Sequence, residues 1–273
     1  MDLETLYQPI ASELDAVKVG LSALANTFHY GHTNTILEHF FQRPGKLLRP
    51  ALVLLSAKAL VDPLPAPLRE RLVQTALGVE LLHDASLVHD DVLDSDTERR
   101  GQATLNGAWG NKIAVLAGDV IYSRGFGLFT QALPQPLLAD VIRLNEQMCS
   151  AEIEQARTLG SPLDRETYFR IIEGKTAAFM SVCCHLGASV AAEVNPNYLP
   201  HAFTLRRFGL AFGLAYQLFD DHADGDLNCP GLDGVTEGRR HLAKAVDLVS
   251  SLPPSPASLE LSHLCSFLQE QNS

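Results

Sequence analysis

Residues 71–101 read RLVQTALGVELLHDASLVHDDVLDSDTERRG. Apolar side chains recur there at three- and four-residue steps, which predicts one long helix backed by an apolar face. Residues four apart share a helix face, so Asp90 and Asp94 project together while Asp91 is rotated by about 100°. Two carboxylates converging on one point repel each other, and a hard divalent cation with oxygen ligands removes that cost. Arg99 and Arg100 follow at once, which puts cationic donors next to the acidic helix end.

The same spacing extends outwards. Residues 48–60, 112–129 and 204–221 repeat it, and proline and glycine punctuate the chain at VDPLPAPL, LPQP, LGSPLD, VNPNYLP and NCPGLDG. The expected fold class is all-α: long antiparallel helices in a single domain over residues 1–273, with a short last helix after the linker-like SSLPPSPASLELS. No fixed-period repeat points to a solenoid. With 273 residues and 46% hydrophobic content, the chain can bury one large core.

A formal net charge of −11 argues against a nucleic-acid partner, and any anionic ligand needs a local cationic site. The five cysteines are odd in number, include the adjacent pair Cys183 and Cys184, and form no CxxC spacing, so they read as reduced core thiols. The acidic start MDLETLYQPIASELDAV and the lack of eighteen consecutive apolar residues give a cytoplasmic expectation.

One DDxxD segment is compatible with a solvated helix end. A second, Asp220, Asp221 and Asp224 in AYQLFDDHAD, stands at the end of another apolar helix. Two such ends suggest two walls of one cavity that binds Mg²⁺, an ion suited to two carboxylates plus phosphate oxygens. The six aspartates are the candidate metal ligands. Lys46 and Arg49, three apart on one expected helical turn, join Arg99, Arg100, Lys175 and His83 as candidates for a second anion site without metal. Gln217, three residues before Asp220, can hydrogen-bond a diphosphate or a metal ligand, and Thr176 adds a weaker signal.

The segments GKLLRP (45–50), HDASLVHDDVLDSDTERRG (83–101), AVLAGDV (114–120), GKTAAF (174–179) and YQLFDDHAD (216–224) occur in one order. In that order and near that spacing the chain resembles the trans-isoprenyl diphosphate synthases, the polyprenyl synthetase family, from about residue 30 to 224. The resemblance implies helices around a central cavity, a homodimer, and head-to-tail joining of isopentenyl diphosphate to an allylic prenyl diphosphate. It implies that Asp90, Asp94 and Asp220 bind the Mg²⁺ holding the allylic diphosphate, with help from Arg99 and Lys175. Lys46, Arg49, His83 and Arg100 are then the isopentenyl diphosphate ligands. Ala85 and Ser86, five and four residues before Asp90, are small, which in this family implies a product longer than farnesyl diphosphate, stopped deeper by Leu82, Val79, Tyr122 or Phe126. A peripheral membrane contact for release of so long a hydrocarbon fits the same reading.

After Asp224 the sequence departs from the family pattern. GDLNCPGLDGVTEGRRHLAKAV lacks the usual Gly-Lys segment and later lysine, which implies weaker diphosphate binding, substitution by Arg239, Arg240 or Lys244, or loss of activity. Two alternatives follow: a terpene cyclase on the same scaffold, which has no need of a second anion site, and a catalytically weak regulatory subunit of a heteromeric prenyl synthase.

Overall fold

The structure, a computed structural model, describes residues 2–43 and 45–272. The expectation is one domain; the contacts cluster into two compact units. One comprises Ala11–Ala51 and Arg69–Leu133, the other the N-terminal segment to Ile10, Leu52–Leu68 and the chain from Pro134 onward. Among the described residues regular structure is helical apart from one strand pair, Glu98–Arg99 (β1) against Gln102–Ala103 (β2).

The first unit holds α2 (Ala11–Leu24), α3 (Gly31–Phe41), most of the 28-residue α5 (Ala66–Leu93), α6 (Leu105–Trp109) and α7 (Asn111–Ala132). Helices α5 and α7 touch backbone to backbone, because a Cβ added at Gly125 would stand 3.2 Å from the Gly78 carbonyl oxygen. Among the described residues α7 alone is long and apolar enough to cross a membrane by length and composition. Ala114, Ala117, Gly118, Ile121, Gly125 and Phe129 are buried on it, while Val115 and Leu116 are exposed.

Helix α5 stops one residue before Asp94. The Asp94 amide still donates to the Asp90 carbonyl at 2.8 Å, so the turn persists and the chain leaves it at Ser95, with φ of 60°. Arg100 and Gly101 then have φ of 53° and 71°, the left-handed pair that a two-residue hairpin turn requires.

One expected turn is corrected. Helix α4 (Leu48–Lys58) begins after Lys46, so Lys46 and Arg49 do not share a helical turn. Pro50 lacks an N–H and is tolerated only in a first turn, and Leu47 is left-handed at φ of 54°, so the helix cannot extend back to Lys46. Lys46 is exposed and precedes the helix; Arg49 is half-buried in its first turn.

The second unit holds α1 (Leu3–Leu6), α8 (Gln135–Thr158), α9 (Arg165–Ile172), a π-helical turn (Glu173–Ala177), α10 (Ala178–Ala192), α11 (Leu199–Asp224), α12 (Gly234–Ser250) and α13 (Pro256–Gln271). Every residue of α10 except Ser189 is buried. Helix α11 lies close against its neighbours through glycines: a Cβ at Gly209 would stand 2.5 Å from the Met180 carbonyl oxygen, and one at Gly213 would stand 2.6 Å from the Ala177 Cα. Gly225, with φ of 77°, ends α11 directly after Asp224. The tail that follows is two helices, started by the Asp233 cap and by the Ser255–Ser258 capping box. Cys183, Cys184, Cys229 and Cys265 are buried and Cys149 is exposed. Burial pushes the Cys184 thiol up to about 12, which leaves it protonated and inert.

Candidate active site

At the end of α5 the three aspartates separate by role. Asp90 is half-buried and Asp94 exposed, whereas Asp91 is 3% exposed and accepts a hydrogen bond from Arg99 Nε at 2.6 Å. Burial raises the Asp91 carboxyl above its ordinary value, and the Arg99 bond opposes that rise. Asn106 Nδ2 donates to the carbonyls of Asp91 and Asp96, at 3.1 and 2.8 Å, fixing the loop between the aspartates and the arginines. Arg99 is therefore placed by the motif that it follows.

His83 lies in the field of three guanidiniums. Burial first, then Arg49, Arg100 and Arg99, hold its imidazole well below the ordinary value. It is neutral at pH 7 and contributes a hydrogen bond rather than the positive charge expected from its place among the cations. The Arg100 guanidinium donates to the Arg43 carbonyl at 3.3 Å and lies against Gly45, where a Cβ would meet Nη2 at 3.1 Å.

Two acids that the sequence reading passed over stand one turn apart on the same helix. Glu80 and Asp84 are 3% and 8% exposed, and with Arg43, Arg99 and Arg100 they line a cavity of about 130 Å³. Burial pushes Glu80 up to about 7 against the pull of Arg49 and Arg100; Asp84 is raised by burial and then by Glu80. The signal was present as two carboxylates four apart inside the mostly apolar stretch 76–88 of the helix.

The chain-length candidates lie on the same helix. Ala85, Leu82 and Val79 are buried, while Ser86 is half-buried and donates to the His83 carbonyl at 2.8 Å. On α7 an aromatic ladder runs from His89 of α5 to Tyr122 (6.3 Å between centroids), Phe126 (5.7 Å) and Phe129 (6.0 Å).

In the other unit, Asp220 and Asp224 are exposed at the end of α11 and Asp221 is half-buried. Asp221 Oδ2 accepts from the Tyr168 hydroxyl at 2.5 Å, and Oδ1 accepts from Gln217 Nε2 at 2.7 Å. Gln217 Oε1 accepts from the Thr176 hydroxyl at 2.7 Å. Burial, and then Asp221, push the Tyr168 hydroxyl far above its ordinary value, so it stays protonated and donates. The π-helical turn brings Thr176 into this chain of bonds and turns Lys175 to Glu152, with Nζ 2.8 Å from Oε2 and both side chains 30% exposed. That ion pair is open enough for an incoming anion to replace the glutamate. Of the substitute cations, Arg240 pairs with Glu237 at 2.8 Å.

Among the described residues no three His, Cys, Asp or Glu side chains converge on a metal position. The middle aspartates, Asp91 and Asp221, are turned to Arg99 and Tyr168, and the outer carboxylates, Asp90 with Asp94 and Asp220 with Asp224, stand four apart at each helix end. That donor set fits Mg²⁺, which takes one or two carboxylates and completes its shell with water and substrate phosphates, better than it fits an ion that needs an all-protein cage.

Architecture defines the class first. A geranylgeranyl pyrophosphate synthetase from Pyrococcus horikoshii superposes with a TM-score of 0.84 over 98% of both chains at 23% identity. A decaprenyl diphosphate synthase from Rhodobacter capsulatus does so at 0.84 over 99% of both, again at 23%. The fold is the all-α isoprenoid synthase fold. The polyprenyl synthetase family model matches residues 31–227. Heptaprenyl diphosphate synthase component 2 of Geobacillus stearothermophilus is 33% identical over 228 residues, covering 82% of this chain and 67% of that protein. Octaprenyl diphosphate synthase of Haemophilus influenzae is 32% identical over 207 residues, covering 74% of this chain and 60% of that protein. The chain belongs to the polyprenyl synthetase family, and it spans roughly three-fifths to two-thirds of the length of these two relatives.

Proposed function

We propose that the protein is a Mg²⁺-dependent prenyltransferase that joins isopentenyl diphosphate head to tail to an allylic prenyl diphosphate, giving an all-trans product longer than farnesyl diphosphate. The observation that carries this reading is that Arg49, Arg99 and Arg100 all act on the buried His83, a group of cations that suits a second diphosphate and for which a cyclase has no use. The names of the relatives, heptaprenyl and octaprenyl diphosphate synthases, support chain elongation beyond farnesyl.

Arg49 and Arg100, with Lys46, hold the diphosphate of the isopentenyl donor as charge-assisted partners, and His83 adds a neutral hydrogen bond. Asp90, Asp94 and Asp220 are the metal-binding carboxylates of this reading, and Asp224 supports the second pair. When bound, Mg²⁺ supplies charge neutralisation of the departing diphosphate. Lys175 exchanges Glu152 for that diphosphate, and Gln217, oriented by Thr176 and Asp221, donates to it. Ionisation leaves a delocalised allylic cation; the donor's double bond attacks it, a new carbon–carbon bond forms, and a proton leaves to the released diphosphate. The apolar side chains behind Asp90 exclude water from the cation. Ser86, half-buried on α5 one turn before Asp90, is the position in this reading past which the growing chain runs.

The exposed pair Val115 and Leu116 on α7 supports assembly as a homodimer, and five free cysteines suit a cytoplasmic location. The designation "component 2" of the Geobacillus relative favours a second reading, in which a partner chain completes the enzyme. Incubation of the purified chain with Mg²⁺, an allylic diphosphate and isopentenyl diphosphate tests both. Extended prenyl diphosphate from the chain alone supports the first, and product only after a partner is added supports the second.

A further inference from the structure

The second aspartate of each DDxxD motif is held by a residue outside the motif. Arg99 holds the buried Asp91 at 2.6 Å, and Tyr168 holds Asp221 at 2.5 Å. Tyr168 was not singled out by the sequence reading. Its ring is 3% exposed and packs with Ile172, Leu214 and Leu218, so only its hydroxyl does polar work, and that hydroxyl reaches Asp221.

Asp221 in turn decides which way the Gln217 amide points. With Oδ2 engaged by Tyr168, Oδ1 faces Gln217 and accepts from Nε2, while Thr176 donates to Oε1 from the other side. A glutamine amide clamped at both ends cannot flip, and its second N–H is left for a ligand. The identity of that ligand, magnesium diphosphate, rests on the prenyltransferase reading.

We propose that Tyr168 is a positioning residue of the reaction: its hydroxyl holds Asp221 as an orienting group, and through Asp221 it fixes the Gln217 amide as a donor to the bound magnesium diphosphate.

Three variants decide it: Tyr168→Phe, which keeps the ring and removes the hydroxyl, Asp221→Asn, and the two together. The affinity of each for inorganic diphosphate in excess Mg²⁺ is measured by calorimetry, beside its melting temperature and its elongation kinetics with each substrate varied. Tyr168→Phe is expected to weaken diphosphate binding roughly tenfold while leaving the KM for isopentenyl diphosphate within about twofold. The double variant is expected to lose no more than Asp221→Asn alone, since the hydroxyl acts through that carboxylate. A lower melting temperature with unchanged diphosphate affinity makes Tyr168 a packing residue and overturns the proposal, as do losses that multiply in the double variant. If the wild-type chain binds magnesium diphosphate but does not elongate, the prenyltransferase reading falls, and calorimetry still decides the role of Tyr168. A wild-type chain that binds no magnesium diphosphate overturns both.

Discussion

Gly213→Ala is expected to damage the site from a distance. Alanine normally stabilises a helix over glycine by about 1 kcal/mol. Here the new Cβ would stand 2.6 Å from the Ala177 Cα and 3.1 Å from its Cβ. Ordinary carbon contacts lie at about 3.5–4.0 Å, so α11 and the π-helical turn must part by roughly 1 Å. Overpacking of this kind costs about 1–3 kcal/mol, and loss of the bond from Thr176 to Gln217 adds about 1 kcal/mol. Net of the helix gain, the protein loses about 1–3 kcal/mol, and its melting temperature falls by roughly 2–4 °C per kcal/mol. Turnover falls further, on the order of a hundredfold, because Lys175, Thr176 and Gln217 are the groups displaced. Gly127→Ala on α7 is the control: nothing lies within 4 Å of its Cβ, so it is expected to hold or raise the melting temperature and leave turnover intact. Thermal unfolding by circular dichroism and an elongation assay read both variants. A Gly213→Ala protein that melts no lower than wild type and turns over normally refutes the close-approach account of α11.

Asp90→Ala and Asp220→Ala are each expected to remove most turnover while the helical circular dichroism stays native, and near-normal turnover in either removes that residue from the metal site. His83→Gln is expected to keep isopentenyl diphosphate affinity within about threefold, since a neutral donor replaces a neutral donor. The pH dependence of that affinity between pH 6 and 8 should be the same in the wild type and the variant, because Glu80, pushed up to about 7 beside Arg49 and Arg100, titrates in both while His83 is held well below its ordinary value; a step that disappears in the variant contradicts the neutral assignment. Ser86→Phe is expected to shorten the product without abolishing condensation, as mass spectrometry of the extracted products would show, and unchanged length in an active variant sends the chain along another path.

Helix periodicity and the four-residue arithmetic of the aspartates made the all-α fold and both acidic helix ends legible in the sequence. Spacing could not show which carboxylates are already engaged. Tyr168 lies 53 residues from Asp221, and only the packing of α9 on α11 joins them. Nor does a sequence state how deeply an imidazole is buried, and the neutrality of His83 depends on that. The start of α4 is legible in the sequence, because Pro50 permits only a first turn, and the three-residue spacing of Lys46 and Arg49 carries no helical turn against that proline. The cations of the family pattern missing after Asp224 leave two well-capped helices, α12 and α13, rather than an unstructured end.

The most direct test of the central claim is the mass of the product that the purified chain makes from Mg²⁺, farnesyl diphosphate and isopentenyl diphosphate. Prenyl diphosphates longer than the starter by whole isoprene units, formed only when the isopentenyl donor is present, are the predicted result. Hydrocarbon released from farnesyl diphosphate alone, or unchanged starter even with a candidate partner chain added, would contradict it.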